Sequence, residues 1–146
     1  MELKNRQSLQ IPDGLRYDVP KGLVMTKILL RNPRYPDMQP IEVDAMADTG
    51  AVHMCIPEHI AIQLRLEQYD QKEATIADGT RRIAAYMGPI ETRFKNRVGL
   101  GGALVIGDQV LLGAIPMEDM DLVVIPKDGR IDVNPANPNL ACSTVK

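Results

Sequence analysis

Apolar positions along the 146-residue chain come in short runs that alternate with polar residues or stop at turn formers. "GLVMTKILL" (Gly22–Leu30) reads as a strand, closed by "RNPRYPDMQP", whose three prolines predict a loop or an edge crossing. "IEVDAMA" (Ile41–Ala47) reads as a second strand, and the two together predict a hairpin. "PEHIAIQLRLE" predicts a short amphipathic helix with Pro57 at its first position, Glu58 in the first turn, and Ile60 and Leu64 on one face. Further on, "EATIA" and "RRIAAYM" flank Asp78-Gly79, a favoured hairpin turn. "PIETRFK" sets Ile90, Thr92 and Phe94 against Glu91, Arg93 and Lys95, the alternation of a half-buried strand. "ALVI" and "QVLL" surround Gly107-Asp108, and "DLVVIP" and "RIDV" surround Lys127-Asp128-Gly129. Strands this numerous and short predict a mostly β barrel or sandwich with one or two short helices.

The length suits a single domain, 1–146, and the sequence has no internal repeat. Hydrophobic residues at 45% and charged residues at 25% are a globular balance, not a disordered one. A net charge of -2 gives no electrostatic case for nucleic acid, and 3% aromatics leave little to stack on bases. The most apolar region, "GLGGALVIGDQVLLGAIP", is interrupted by Asp108 and Gln109 and fails as a membrane span. The polar start "MELKNRQSLQ" carries no signal core, and two cysteines, Cys55 and Cys142, make no disulfide framework. The expectation is a soluble cytoplasmic domain without nucleic-acid or membrane partners.

Candidate chemistry concentrates in "EVDAMADTGAVHMCIP" (Glu42–Pro57), where an apolar run ends in Asp48-Thr49-Gly50. Asp and Gly are also common turn formers, so the triplet alone decides nothing. His53, Cys55 and His59 have the residue types of a zinc site, but no second paired half exists elsewhere in the chain. A strand-to-helix junction with one buried thiol explains the same residues and is the preferred reading over a metal site, and Met54 and Ile56 beside Cys55 favour that inert thiol. "GLGG" lacks the Lys of a phosphate loop. Met117 and Met120 read as core fillers of a short helix, with Glu118 and Asp119 supporting its N-terminus.

Three landmarks then fall in order: "ADTGA" at Ala47–Ala51, "ADGT" at Ala77–Thr80, and "VLLG" at Val110–Gly113 followed by "AIPMEDM". This order resembles the retropepsin-like aspartic peptidases, the single-lobed family that includes the retroviral proteases. The resemblance covers a core at 23–133, leaving an N-terminal extension, 1–22, and a C-terminal tail, 134–146. It implies a closed acid-protease-like β-barrel with a flap hairpin. It also implies catalysis at Asp48, scaffolded by Thr49 and Gly50, and substrate contacts from Ala51 and from Ala77, Asp78, Gly79 and Thr80. No cofactor or metal is implied, and the expected substrate is a peptide or protein. "VGLGG" (Val98–Gly102) competes as the flap tip, but it ends eleven residues before Gly113, too close for the return strands. Arg81 and Arg82 would select acidic peptides or simply be solvated, and Tyr86 would line the cleft or pack in an edge or core. Two departures stand out: no Arg follows Gly113, and the tail does not resemble the terminal strand that retroviral proteases interleave across their dimer.

Metal-free peptide hydrolysis needs one carboxylate to take a proton from water and one carboxylic acid to polarise the carbonyl, two groups sharing a proton. One copy of this chain supplies one Asp-Thr-Gly. Asp44, four residues back in the same strand, would lie about 13 Å away. A two-fold homodimer instead sets Asp48 against its own mate. The alternative is a retropepsin-fold peptide-binding or dimerisation module with little or no catalytic activity, because a fold does not dictate an activity.

Overall fold

The computed structural model describes residues 23–145. The extension expected at 1–22, with its lack of a signal core, lies outside the described residues. In chain order the elements are β1 (Val24–Arg31), β2 (Ile41–Ala47), β3 (Met54–Ile56), α1 (Glu58–Gln63), β4 (Glu67–Thr75) and β5 (Arg81–Phe94). There follow β6 (Arg97–Val105), β7 (Val110–Leu112), α2 (Ala114–Asp119), β8 (Leu122–Ile125) and β9 (Arg130–Val133).

β1 and β2 form the expected antiparallel pair, in register from Val24↔Ala47 to Leu30↔Ile41. Val24, Ile28 and Leu30 of β1 and Ala45 and Ala47 of β2 are buried, the two-residue period of strands with one face on a core. The sheet runs β1-β2-β7-β3-β6-β5-β4, and a further β1–β5 pairing closes six of these strands into a barrel. Closure gives β1 a partner on both sides, while β4 stays outside the ring and, among the described residues, pairs only with β5. Two of the pairings, β2 with β7 and β3 with β6, are parallel. The "ALVI" and "QVLL" runs are therefore not neighbours, because β3 lies between β6 and β7.

Three other local readings change. "RRIAAYM" and "PIETRF" belong to one 14-residue strand, β5, whose register against β6 slips between Met87 and Ile90. Pro89 has no N–H to give a ladder, so the pairing lapses there and resumes without ending the strand. Pro57 precedes α1 as its N-cap instead of occupying its first position. Glu118 and Asp119 close α2 and do not support its start, which holds no acidic residue. Asp119 instead accepts the backbone N–H of Leu100 at 3.3 Å.

Met117 and Met120 are buried in the main core with Ile56, Leu64, Ile90 and Leu112. The tail beyond β9 packs on the barrel surface: Asp121 accepts hydrogen bonds from the Asn134 and Asn137 side chains and from the Cys142 backbone. No helix among the described residues is long and apolar enough to cross a membrane.

Candidate active site

β2 runs out at Ala47, and the next residues, Asp48-Thr49-Gly50, turn the chain toward β3. The turn is laced to the segment that ends β7 and begins α2. Asp48 donates its backbone N–H to Leu112 O at 3.0 Å, Ala114 donates to Ala51 O at 2.8 Å, and Ile115 donates to Val52 O at 2.9 Å. The first N–H groups of a helix have no partner inside it, so α2 satisfies two of its own by fixing this loop. Gly113 makes the lacing possible. A Cβ on it would stand 2.3 Å from His53 O and 2.8 Å from Ala51 O, closer than real Cβ contacts come. "VLLG" and "ADTGA", 63 positions apart from Ala51 to Ala114, are thus two sides of one joint.

Within the loop, Asp48 Oδ1 accepts the Gly50 N–H at 3.0 Å, and Ala51 N–H donates to Asp48 O at 3.0 Å. Gly50 is not among the glycines with positive φ. Its smallness matters for space, since a Cβ there would come within 3.1 Å of the same Asp48 oxygen. Asp48 is half-buried, with Thr49 and Gly50 exposed beside it. Asp44, four residues back in β2, points to solvent and is paired with Lys27 at 2.8 Å.

From Asp48 a second, smaller apolar cluster extends across the outer face of the sheet. Tyr86 of β5 pairs with Leu104 of β6, Leu104 with Cys55 of β3, and Cys55 with Leu111 of β7. Cys55, Leu104 and Ala84 are buried there, with Ala74, Tyr86 and Leu111 packed against them. Burial pushes the Cys55 thiol up from its ordinary value, and the Asp48 charge pushes the same way; the pairing of Met46 with Leu111 brings the end of β2 to the edge of this floor. Ala74 and Ala84 belong to the β4–β5 hairpin, whose stem therefore covers part of the cluster.

The hairpin tip is Ala77–Thr80, as expected, and it is exposed. Asp78 Oδ1 accepts both the Thr80 backbone N–H, at 2.9 Å, and its hydroxyl, at 2.6 Å. Those bonds hold the Asp78 carboxyl below its usual range and stiffen the tip, while Gly79 supplies φ +86°. "VGLGG" is not a tip at all but lies inside β6, paired with β5. Arg81 and Arg82 are exposed, and Arg81 pairs with Glu73 at 3.4 Å.

His53 leaves the loop with its ring edge on Tyr86, centroids 5.6 Å apart, and the Lys72 ammonium sits 5.0 Å over the same tyrosine ring. Gly102 leaves the space Tyr86 occupies, because a Cβ there would meet the ring at 2.7 Å. Burial, then Lys72, pushes the His53 imidazole below its ordinary value. His59 is exposed on α1, Cys55 is buried on the floor, and no cluster of metal-ligating side chains occurs among the described residues. Reading the sequence missed Leu104, Leu111 and Lys72. Only the cross-strand pairing brings them to this face.

No protein-family model matches the sequence, and no curated protein matches it. Among solved structures the chain is similar to the retroviral protease-like domain of Ddi1 from Leishmania major. The TM-score is 0.50 and the identity 11%, over 77% of this chain and 90% of that one. The fold is retropepsin-like. On that retropepsin-like barrel, Asp48 stands at the joint between the β2 end and α2, beside an apolar floor and a hairpin stem.

Proposed function

We propose that the protein is an aspartic endopeptidase whose active form is a homodimer, with Asp48 of each copy forming the catalytic pair. The observation that carries this is the position of half-buried Asp48 at the edge of an apolar floor, its loop laced to α2 and its Oδ1 accepting the Gly50 N–H. In the dimer one Asp48 takes a proton from water while the other, protonated, polarises the scissile carbonyl. Thr49 and Gly50 hold the pair in place, Gly50 through its N–H to Asp48 Oδ1. Ala51 and the tip Ala77, Asp78, Gly79 and Thr80 contact a peptide or protein substrate. The retropepsin-like fold of a similar structure supports this reading, and the single Asp-Thr-Gly per chain makes dimerisation its condition.

The test is cleavage of an unfolded protein from mildly acidic to neutral pH, with and without pepstatin, alongside sedimentation of the purified chain. Cleavage blocked by pepstatin and lost in a folded, dimeric Asp48→Asn variant is the expected result. A chain that stays monomeric at high concentration, or an Asp48→Asn variant that cleaves undiminished, would overturn the assignment.

A further inference from the structure

The floor beside Asp48 is apolar along Cys55, Leu104 and Leu111, yet it ends on a charged stack of His53, Tyr86 and Lys72. Lys72 is half-buried, with 37% of its side chain exposed, and the face of Tyr86 holds its ammonium in place by cation–π attraction. Gly102 keeps Tyr86 flat against β6, so this cation is positioned by packing. We infer that the stack of His53, Tyr86 and Lys72 is a subsite for an acidic side chain of the bound peptide, and that Lys72 sets a preference for Glu or Asp at one position near the scissile bond.

This rests on the peptidase reading of Asp48 for its orientation along the floor. The charge argument is independent of it. A cation beside apolar walls attracts a carboxylate more strongly than one in open water, and it repels Lys or Arg at the same point. Burial, then Lys72, pushes the His53 imidazole toward its neutral form, in which it can donate one hydrogen bond, and Lys72 supplies the cation of the stack. Among the described residues, the ion-pair partner of Lys72 is weak. Asp70 lies 3.5 Å away with 60% of its side chain exposed, a contact that adds little in water. A peptide carboxylate lying on the floor displaces it. Arg81 and Arg82, the cations first suggested by the sequence, sit at the exposed end of the hairpin and lack such a wall.

The probe is a set of apolar octapeptides, acetylated and amidated so that no terminal carboxylate competes, with Glu, Gln or Lys placed at each position in turn. Cleavage is followed for the wild type, Lys72→Gln and Lys72→Glu, and binding is followed for Asp48→Asn. At one position Glu should be favoured over Gln by about fivefold, the most a half-exposed ion pair usually supplies. Lys72→Gln should level the two, and Lys72→Glu should favour Lys there. Equal treatment of Glu and Gln, or a ranking that Lys72→Glu leaves unchanged, overturns the subsite while cleavage itself still supports the peptidase. No cleavage by the wild type, with the charge preference kept in binding, overturns the peptidase and leaves the subsite standing. Neither cleavage nor charge preference removes both.

Discussion

Gly113 and His53 meet so closely that a single methyl group on Gly113 would lie 2.3 Å from the His53 carbonyl oxygen. Both neighbours are backbone, so no side chain can swing aside. Gly113→Ala must part the loop from the first turn of α2, where Ala114 and Ile115 hold Ala51 and Val52. The expected loss is about 3 kcal/mol or more by thermal or denaturant unfolding, at the upper end for overpacking. Any cleavage should fall with it. A variant of unchanged stability would mean that the joint does not hold the Asp48 loop.

Gly102 and Tyr86 give the opposite case. A Cβ on Gly102 would strike the outer end of the tyrosine ring, which can rotate away. Gly102→Ala should therefore cost only about 1 kcal/mol while breaking the stack with His53 and Lys72. The measurement is a pH titration of His53 by NMR. Burial is the main cause of its lowered value, so displacing Tyr86 should move the titration back up toward the ordinary histidine range. An unmoved titration would show that Tyr86 does not shield the imidazole.

Much of this arrangement was legible from residue order, and the reasons for the remainder are physical. Alternation located β2 at Ile41–Ala47, and Asp78-Gly79 located the hairpin, because both signals are local. Parallel pairing of β2 with β7 and of β3 with β6 has no local signature, so the floor of Cys55, Leu104 and Leu111 was out of reach. "RRIAAYM" and "PIETRFK" read as separate runs, yet the ladder on both sides of Gly88-Pro89 carries β5 through. Glu91 was assigned to the outer face of its strand but is 8% exposed. Its burial depends on Arg31, which β1–β5 closure brings to it from 60 residues away.

That buried Glu91 is one source of an expected acid sensitivity. Arg31 at 2.9 Å and Arg93 at 2.7 Å hold its carboxyl below the usual carboxylate range. A depressed folded value means that the stabilisation is complete above the unfolded carboxylate range and is lost as pH falls through the folded value. Glu91→Gln should lower unfolding stability at pH 7 by about 2 kcal/mol, the scale of a charge-assisted hydrogen bond. The gap from the wild type should close as pH drops below about 4. A gap that stayed constant with pH would show that the ion pairs are not its cause.

Asp121 makes the last case, because it binds the tail without joining the barrel. It occupies φ +52°, a conformation Asn tolerates better than most side chains, so Asp121→Asn should keep the backbone while replacing one carboxylate oxygen with a donor. Asp121 Oδ2 accepts from both the Asn137 side chain and the Cys142 N–H, and Oδ1 accepts from the Asn134 side chain. An amide cannot accept at both positions, so part of the tail must let go. Hydrogen exchange should quicken at the Cys142 amide, and proteolysis within Asn134–Cys142 should become faster, with the barrel amides unchanged. Thiol labelling supplies the control: exposed Cys142 should react in the native protein, and Cys55, buried with its thiol pushed up, should react only on unfolding. If barrel amides instead exchanged as fast as those of the tail, the segment would be part of the cooperative core rather than a strap laid over it.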